Sequence, residues 1–85
     1  MKSFKYIIKD EFGIHVRPAG LLVKEAKKLN SKIFLEKDDA KIEATKLMAI
    51  MSMGVKQGDE ILISVDGIDE DRAITAMKTF FENNL

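Results

Sequence analysis

Pro18 is the only proline in this 85-residue chain, and it constrains where the first helix can begin. Proline lacks a backbone N–H and has a φ angle preset near the helical value, so a helix accepts it in the first turn and not in the interior. After Pro18, apolar residues recur at the spacing of one buried helical face. They are Ala19, Leu22, Val23, Ala26 and Leu29. We therefore predict a helix that opens at Val16 to Pro18.

The only histidine, His15, directly precedes this helix. Free N–H groups and the positive end of the helix dipole favour an anion there. Arg17 adds a planar, permanently charged donor fork that suits phosphate. Because a second positive charge is unfavourable beside these groups, we expect the imidazole to be neutral, which is its nucleophilic form. The pattern predicts a phosphate-carrying histidine. The alternative, from the residue alone, is a helix cap or a solvated side chain.

Composition limits the other functions that the chain could have. Eighty-five residues suffice for one domain, residues 1–85, with its own core. The absence of cysteine and the single histidine exclude disulfides, thiolate metal sites and a histidine-built zinc site, and we expect no metal or cofactor. Fourteen basic and fourteen acidic residues cancel, so no overall field favours nucleic acid. Charges interrupt the N-terminal apolar residues, which argues against a signal peptide or membrane span and predicts a cytoplasmic protein.

The remaining pattern alternates strands and helices without a linker or repeat. Period-two alternation and turn residues predict strands at residues 4–9, 32–37, 41–43 and 60–66. Helices are predicted from Val16, over residues 47–53 and after Asp69, which is expected to cap the last one. The βαββαβα order predicts an α+β fold, an open-faced β-sandwich in which three helices cover one face of a four-stranded antiparallel sheet.

The segment from Leu47 to Gly54 carries more apolar side chains than one short helix can bury. Some of Leu47, Met48 and Met51 are therefore expected at the surface, where flexible thioethers suit a docking patch for several partners. The alternative is that all of them belong to the core, since methionine often fills irregular gaps.

With both segments in view, the chain resembles the histidine-containing phosphocarrier (HPr) family of the bacterial sugar phosphotransferase system. GIHVRPA at residues 13–19 looks like the family's phosphorylation motif, and LMAIMSMG at residues 47–54 is similar to its second block, at matching spacing. Gly67, followed by an acidic helix start, also fits. The resemblance covers essentially the whole chain.

The resemblance implies a phosphoryl carrier rather than an enzyme. The first enzyme of the system, charged from phosphoenolpyruvate, would pass a phosphoryl group to Nδ1 of His15, and the carrier would hand it to a sugar-specific IIA domain. Arg17 and the backbone N–H groups of Val16 and Arg17 would hold the phosphoryl oxygens. A single surface would dock both partners. The carrier would be a monomer that binds no nucleic acid and associates with no membrane stably. Its residues would be Gly20, Lys24, Lys27, Leu47, Met48 and Met51.

Two positions depart from the family pattern. Where many members carry a regulatory serine at the start of the second helix, this chain has Lys46, which cannot take that phosphate. The hydroxyl of the preceding Thr45 is a substitute target and cap to be considered. Phe12 stands where members often have a small polar residue, which would leave an aromatic ring beside His15.

Two functional alternatives follow. One is a regulatory HPr paralogue that signals through its phosphohistidine rather than feeding sugar uptake. The other is a small-ligand or RNA-binding α+β domain in which His15 is merely a cap. The balanced charge and the lack of an aromatic stacking platform argue against RNA.

Overall fold

The computed structural model describes residues 1–85 and contains four strands and three helices in the predicted order. The strands are β1 (Lys2–Ile7), β2 (Ser31–Lys37), β3 (Ala40–Glu43) and β4 (Glu60–Gly67). The helices are α1 (Val16–Lys27), α2 (Leu47–Ser52) and α3 (Glu70–Asn84). The helix start at Val16 is confirmed. A two-residue turn at Asp38 and Asp39 joins β2 to β3, with a positive φ of 53° at Asp38.

All strand pairs are antiparallel, and the strand order is β1-β4-β2-β3. β4 is hydrogen-bonded on both edges, which fits its regular alternation: Ile61, Ile63 and Val65 are completely buried. The three helices lie against this face, and α3 contacts β1 and β4 while α1 contacts α2 and α3. The predicted open-faced sandwich is confirmed.

Aromatic rings pack in the interface between α3 and the sheet. Phe81 is fully buried and makes edge contacts with Phe4 and Tyr6 of β1 and with Phe80, at centroid distances of 5.5 to 6.1 Å. Each such pair contributes about 0.5–1.5 kcal/mol beyond the area it buries. These contacts fix α3 on β1, and the segment that follows β1 leads directly to His15.

Two local predictions need correction. β1 begins at Lys2 and ends at Ile7, so the buried Ile8 lies just beyond the strand, although its N–H still donates to the Asp59 carbonyl at 2.9 Å. Asp69 does occupy the N-cap position of α3, but its carboxylate makes no cap hydrogen bond. It accepts instead from the Ser31 hydroxyl and from the Asn30 N–H at 2.9 Å. Asp69 thus ties the start of α3 to the start of β2.

Candidate functional site

His15 occupies the N-cap position of α1, in an extended backbone conformation, and its side chain makes no cap hydrogen bond. The imidazole is neither fully buried nor fully exposed. Its own carbonyl accepts from the Ala19 N–H at 3.0 Å, which closes the first turn of the helix. The ring therefore stands at the amino end of α1 without a hydrogen bond that would occupy its nitrogens.

Gly13 explains why the chain can place His15 there. Its φ of +65° lies in the left-handed region, and a Cβ added to it would stand 2.2 Å from the Val55 carbonyl oxygen. The next N–H, that of Ile14, donates to the same oxygen at 3.1 Å. Only glycine fits this close approach. The contact anchors the segment before His15 to the loop between α2 and β4.

The loop that receives Gly13 is itself braced. The Asp59 carboxylate accepts from the Lys56 N–H at 2.8 Å and pairs with the Lys37 ammonium at 2.9 Å. These two interactions, the hydrogen bond first, lower the pKa of the Asp59 carboxyl below its ordinary value. Val55 is thus held between β2 and the start of β4, and it provides a fixed support for the residues that lead into α1.

The first turn of α1 leaves its donors free. The N–H groups of Val16 and Arg17 donate to no group of the protein, as expected for the orphan donors at a helix start. Arg17 is exposed, and its guanidinium takes part in none of the side-chain hydrogen bonds or ion pairs. Two amides and one guanidinium therefore stand unsatisfied next to the only imidazole, an arrangement that favours an anion with several oxygens.

An open depression of about 280 Å³ adjoins these groups. It is lined by His15, Arg17, Pro18 and Leu21, together with Asp10, Asn83 and Asn84. The last three residues were not predicted from the sequence. Asn83 and Asn84 reach the site because the Leu85 carbonyl accepts from the N–H groups of Lys9 and Asp10, at 2.6 and 2.9 Å. No local pattern predicts that pairing, since it joins the segment after β1 to the residue that follows α3.

Phe12 lies beside the imidazole, as the departure from the family pattern suggested. The centroids of the Phe12 and His15 rings are 5.8 Å apart, and the ring planes are inclined by 77°. Phe12 is 71% exposed, so its ring is not part of the core.

The predicted docking residues fall on the two neighbouring helices α1 and α2, which pack against each other. Lys24 and Lys27 are exposed, and a Cβ added to Gly20 would meet no atom within 4 Å. In α2, Met48 is 78% exposed and Leu47 38%, whereas Met51 is half-buried and packs against the core. The expectation of surface methionine is confirmed for Met48 and only partly for Met51. Val16, 64% exposed, is an apolar neighbour that the sequence reading named only for its backbone.

The start of α2 lacks a side-chain cap. Lys46 holds the N-cap position, is exposed, and makes no cap hydrogen bond with its side chain. Thr45 is half-buried and makes no cap hydrogen bond either. Ser52 is the last residue of α2, and its hydroxyl donates to the Ala49 carbonyl at 2.8 Å. None of the three helices has the length and apolar character required to cross a membrane.

Comparison with known proteins identifies this architecture. Residues 2–83 match the family model described as "PTS HPr component phosphorylation site". The chain is 40% identical over 86 residues to the phosphocarrier protein HPr of Mycoplasma genitalium, covering 99% of this chain and 97% of that protein. This chain belongs to the HPr family of phosphocarrier proteins. The segment GIHVRPA, which resembles the family's phosphorylation motif, contains His15 and also Val16 and Arg17, which supply the free donors.

Solved structures of HPr proteins share the fold. The HPr structure from Thermoanaerobacter tengcongensis superposes with a TM-score of 0.91, at 44% identity, covering 96% of this chain and 92% of that one. The structure of an HPr dimer from the same organism gives a TM-score of 0.77 at 43% identity, covering 98% of this chain and 95% of that one. At least one HPr protein is therefore described as a dimer.

Proposed function

We propose that this HPr-family protein carries a phosphoryl group on Nδ1 of His15, taken from the phosphoenolpyruvate-charged first enzyme of the phosphotransferase system and passed to sugar-specific IIA domains. The single observation that supports this assignment is the set of unpaired donors at the start of α1. The N–H groups of Val16 and Arg17 and the Arg17 guanidinium have no partner within the protein, and they stand next to the only histidine.

The chemistry follows from that arrangement. The lone pair of the neutral imidazole attacks phosphorus, and a new N–P bond forms while the donor's bond to the phosphorus breaks and its electron pair leaves with the donor. Charge is spread over the three phosphoryl oxygens in the transition state, so catalysis depends on positioning and on donors aimed at those oxygens. Arg17 and the two amides supply such donors. Transfer to the acceptor repeats the step in the other direction, with the carrier as leaving group.

Docking of both partners is assigned to the surface formed by α1 and α2. Its centre is apolar, and cationic side chains of α1 stand beside it. The residues are Gly20, Lys24, Lys27, Leu47, Met48 and Met51. A shallow site requires a docking surface beside it, because the donor and the acceptor must bring their own reacting groups to an imidazole that lies at the surface. One surface for two partners makes the transfer sequential. We propose a cytoplasmic carrier that acts as a monomer, which leaves this surface free.

Incubation with phosphoenolpyruvate and the first enzyme tests the assignment. The protein should gain one acid-labile phosphoryl group, detected as a phosphohistidine, and His15→Ala should gain none. Arg72→Ala is a matched control, since Arg72 is an exposed arginine at the start of α3, away from His15. No phosphorylation of the wild-type protein, or equal phosphorylation of His15→Ala, would reject the proposal.

The regulatory alternative is separated by the second transfer. A regulatory paralogue would be phosphorylated at His15 in the same assay but would not pass the group to IIA domains. Addition of a panel of IIA domains to the phosphorylated, purified protein measures this directly. We expect loss of the phosphohistidine and appearance of phosphorylated IIA.

A further inference from the structure

Phe12 is the neighbour of His15 that the proposed carrier function leaves without a role. Its aromatic ring is 71% exposed, which removes burial as the reason for its position. Apart from Phe12, no aromatic ring contacts the imidazole, and no side-chain hydrogen bond restrains it. The only specific side-chain contact described for the phosphorylatable ring is therefore made by Phe12.

The backbone of Phe12 is held in place. Its N–H donates to the Asp10 carboxylate at 2.8 Å, and the Gly13 N–H donates to the Asp10 carbonyl at 3.0 Å. Beyond it, Gly13 and Ile14 are fixed against the Val55 carbonyl. The Phe12 ring thus projects from a turn anchored on both sides, so its contact with the imidazole is not the result of a free loop resting there.

The geometry of the contact limits how the imidazole can turn. The ring centroids are 5.8 Å apart and the planes are inclined by 77°, which is the edge-to-face arrangement that aromatic quadrupoles favour. Rotation of the imidazole about its bond to Cβ would exchange this arrangement for a less favourable one. Without a hydrogen bond to hold either nitrogen, this contact is what selects among the orientations of the ring.

We propose that Phe12 is a positioning residue, whose edge-to-face contact with His15 holds the imidazole in the orientation from which Nδ1 receives the phosphoryl group. This inference rests on the proposed carrier function and adds a residue to it. It also gives a physical meaning to the departure at position 12. In this chain an aromatic contact would orient the imidazole, where a small polar side chain could act only through a hydrogen bond.

The test compares Phe12→Leu with Phe12→Tyr. Leucine keeps an apolar side chain and loses the ring, whereas tyrosine keeps the ring. Ile68→Ala is the control for removing an exposed apolar side chain elsewhere, since Ile68 is 92% exposed in the connection between β4 and α3. Thermal unfolding is recorded for each variant to show that the fold is retained.

The first measurement needs no partner. Because His15 is the only histidine, its imidazole proton resonances are identified without ambiguity in a nuclear magnetic resonance spectrum. The Phe12 ring current shifts these resonances, so Phe12→Leu should move them at every pH of a titration. Phe12→Tyr and Ile68→Ala should leave them close to the wild-type positions. Unchanged resonances in Phe12→Leu would overturn the proposal.

The second measurement separates transfer from docking. The rate of phosphorylation by the first enzyme is followed as a function of carrier concentration. Loss of one aromatic contact should slow transfer at saturating carrier by about two- to tenfold in Phe12→Leu, with the half-saturating concentration unchanged. Phe12→Tyr should restore the rate to within about twofold of wild type. An unchanged saturating rate, or a loss confined to the half-saturating concentration, would overturn the proposal and make Phe12 at most a docking contact.

Failure of the carrier function gives a different result from failure of this inference. If wild-type protein accepts no phosphoryl group, the proposed function is rejected, and the imidazole resonances still decide whether Phe12 holds the ring. If wild type and Phe12→Leu are phosphorylated at the same saturating rate, the carrier function stands and the positioning role is rejected.

Discussion

The two long helices begin in opposite ways. At the start of α3, Asp69 holds the N-cap position, and Glu70 and Asp71 place negative charge in the first turn, where the helix dipole favours it. The terminal amine of Met1 pairs with Glu70 and Lys2 pairs with Asp71. At the start of α1 the first turn has no acidic residue, although neither helix has a side-chain cap hydrogen bond. α3 therefore places negative charge of its own at its amino end, whereas α1 has none there and leaves that end available for an anion from outside.

This difference has a cost in stability that must be met elsewhere. An acidic residue in the first turn contributes about 0.3–1 kcal/mol through the helix dipole, and α1 has none. Its amino end is held instead by Gly13 and Ile14 against the Val55 carbonyl. The helix is thus anchored through the backbone that precedes it, which leaves the donors of its first turn unoccupied.

The largest effect is expected from Gly13→Ala, which attacks that anchor. The new Cβ would collide with the Val55 carbonyl, and the positive φ would be strained as well. We expect the free energy of unfolding to fall by about 2–5 kcal/mol, from about 1–2 for the left-handed backbone and about 1–3 for overpacking. Chemical denaturation at a fixed pH measures it.

Gly54→Ala is the matched control for this change. Gly54 has nearly the same backbone angle, with φ +63°, but an added Cβ would meet no atom within 4 Å. It should lose only the backbone contribution, about 1–2 kcal/mol. Equal losses in the two variants would mean that the close approach to Val55 does not support the start of α1.

Arg17→Ala should separate function from stability at the same helix end. Removal of a charge-assisted donor is expected to slow transfer from the first enzyme by roughly 10- to 100-fold, since such a hydrogen bond contributes about 1.5–3 kcal/mol. Stability should rise by about 0.3–1 kcal/mol, because a cation is unfavourable at a helix amino end. Rapid-quench kinetics measures the rate of phosphoryl transfer, and chemical denaturation measures the free energy of unfolding.

Arg17→Lys refines this result. It keeps the charge but loses the planar fork, so its transfer rate should lie between those of wild type and Arg17→Ala, with little gain in stability. Slower transfer in Arg17→Ala combined with lower stability would contradict the view that the start of α1 gives up stability for anion binding.

The sequence predicted what depends on local pattern. The alternation in β4 and the position of Pro18 determine the central strand and the start of α1, and both were placed correctly. GIHVRPA brought His15 and Arg17 together because they are neighbours along the chain. The Asp69 cap was placed correctly but given the wrong bond, because its carboxylate faces Ser31, 38 residues away in sequence.

The rest of the site is assembled by contacts between residues that are distant in sequence, and no local sequence pattern predicts these contacts. Asp10 and Asn83 come together through the pairing of the Leu85 carbonyl with the segment after β1. The need for glycine at position 13 depends on Val55, which belongs to a loop beyond α2. Burial of Met51 and exposure of Met48 depend on how α2 rotates on the core, and a six-residue helix with apolar residues on all sides does not reveal this.

A smaller effect, in the acid range, is expected at the start of α3. The Ser31 hydroxyl and the Asn30 N–H, in that order of importance, lower the pKa of the Asp69 carboxyl. A carboxyl with a lowered folded-state pKa adds stability that is present above its unfolded-state pKa, near 3.9, and is lost as the pH falls through the folded-state value. Asp69→Asn should therefore lose stability at neutral pH and depend less on pH below about 5.

Thermal unfolding of wild type, Asp69→Asn and Asp66→Asn between pH 7 and pH 2 measures this dependence. Asp66 is an exposed aspartate of β4, and its variant should follow the wild-type curve. Some acid loss will remain in Asp69→Asn, because the pKa of Asp59 is lowered as well. Identical curves for wild type and Asp69→Asn would show that the start of α3 is not stabilised by this carboxylate.

The smallest effect is expected at Gly20, in the interior of α1. The other long helix, α3, contains no glycine. Glycine inside a helix costs about 0.5–1 kcal/mol relative to alanine, and nothing would obstruct a Cβ here. Gly20→Ala should therefore raise the free energy of unfolding by that amount, whereas Gly54→Ala, equally open but at positive φ, should lower it.

If Gly20 lies in the docking surface, the methyl group of Gly20→Ala should weaken binding of the first enzyme in a calorimetric titration. A stabilised variant with unimpaired binding would remove Gly20 from that surface, and α1 would then carry its glycine for no reason that docking explains.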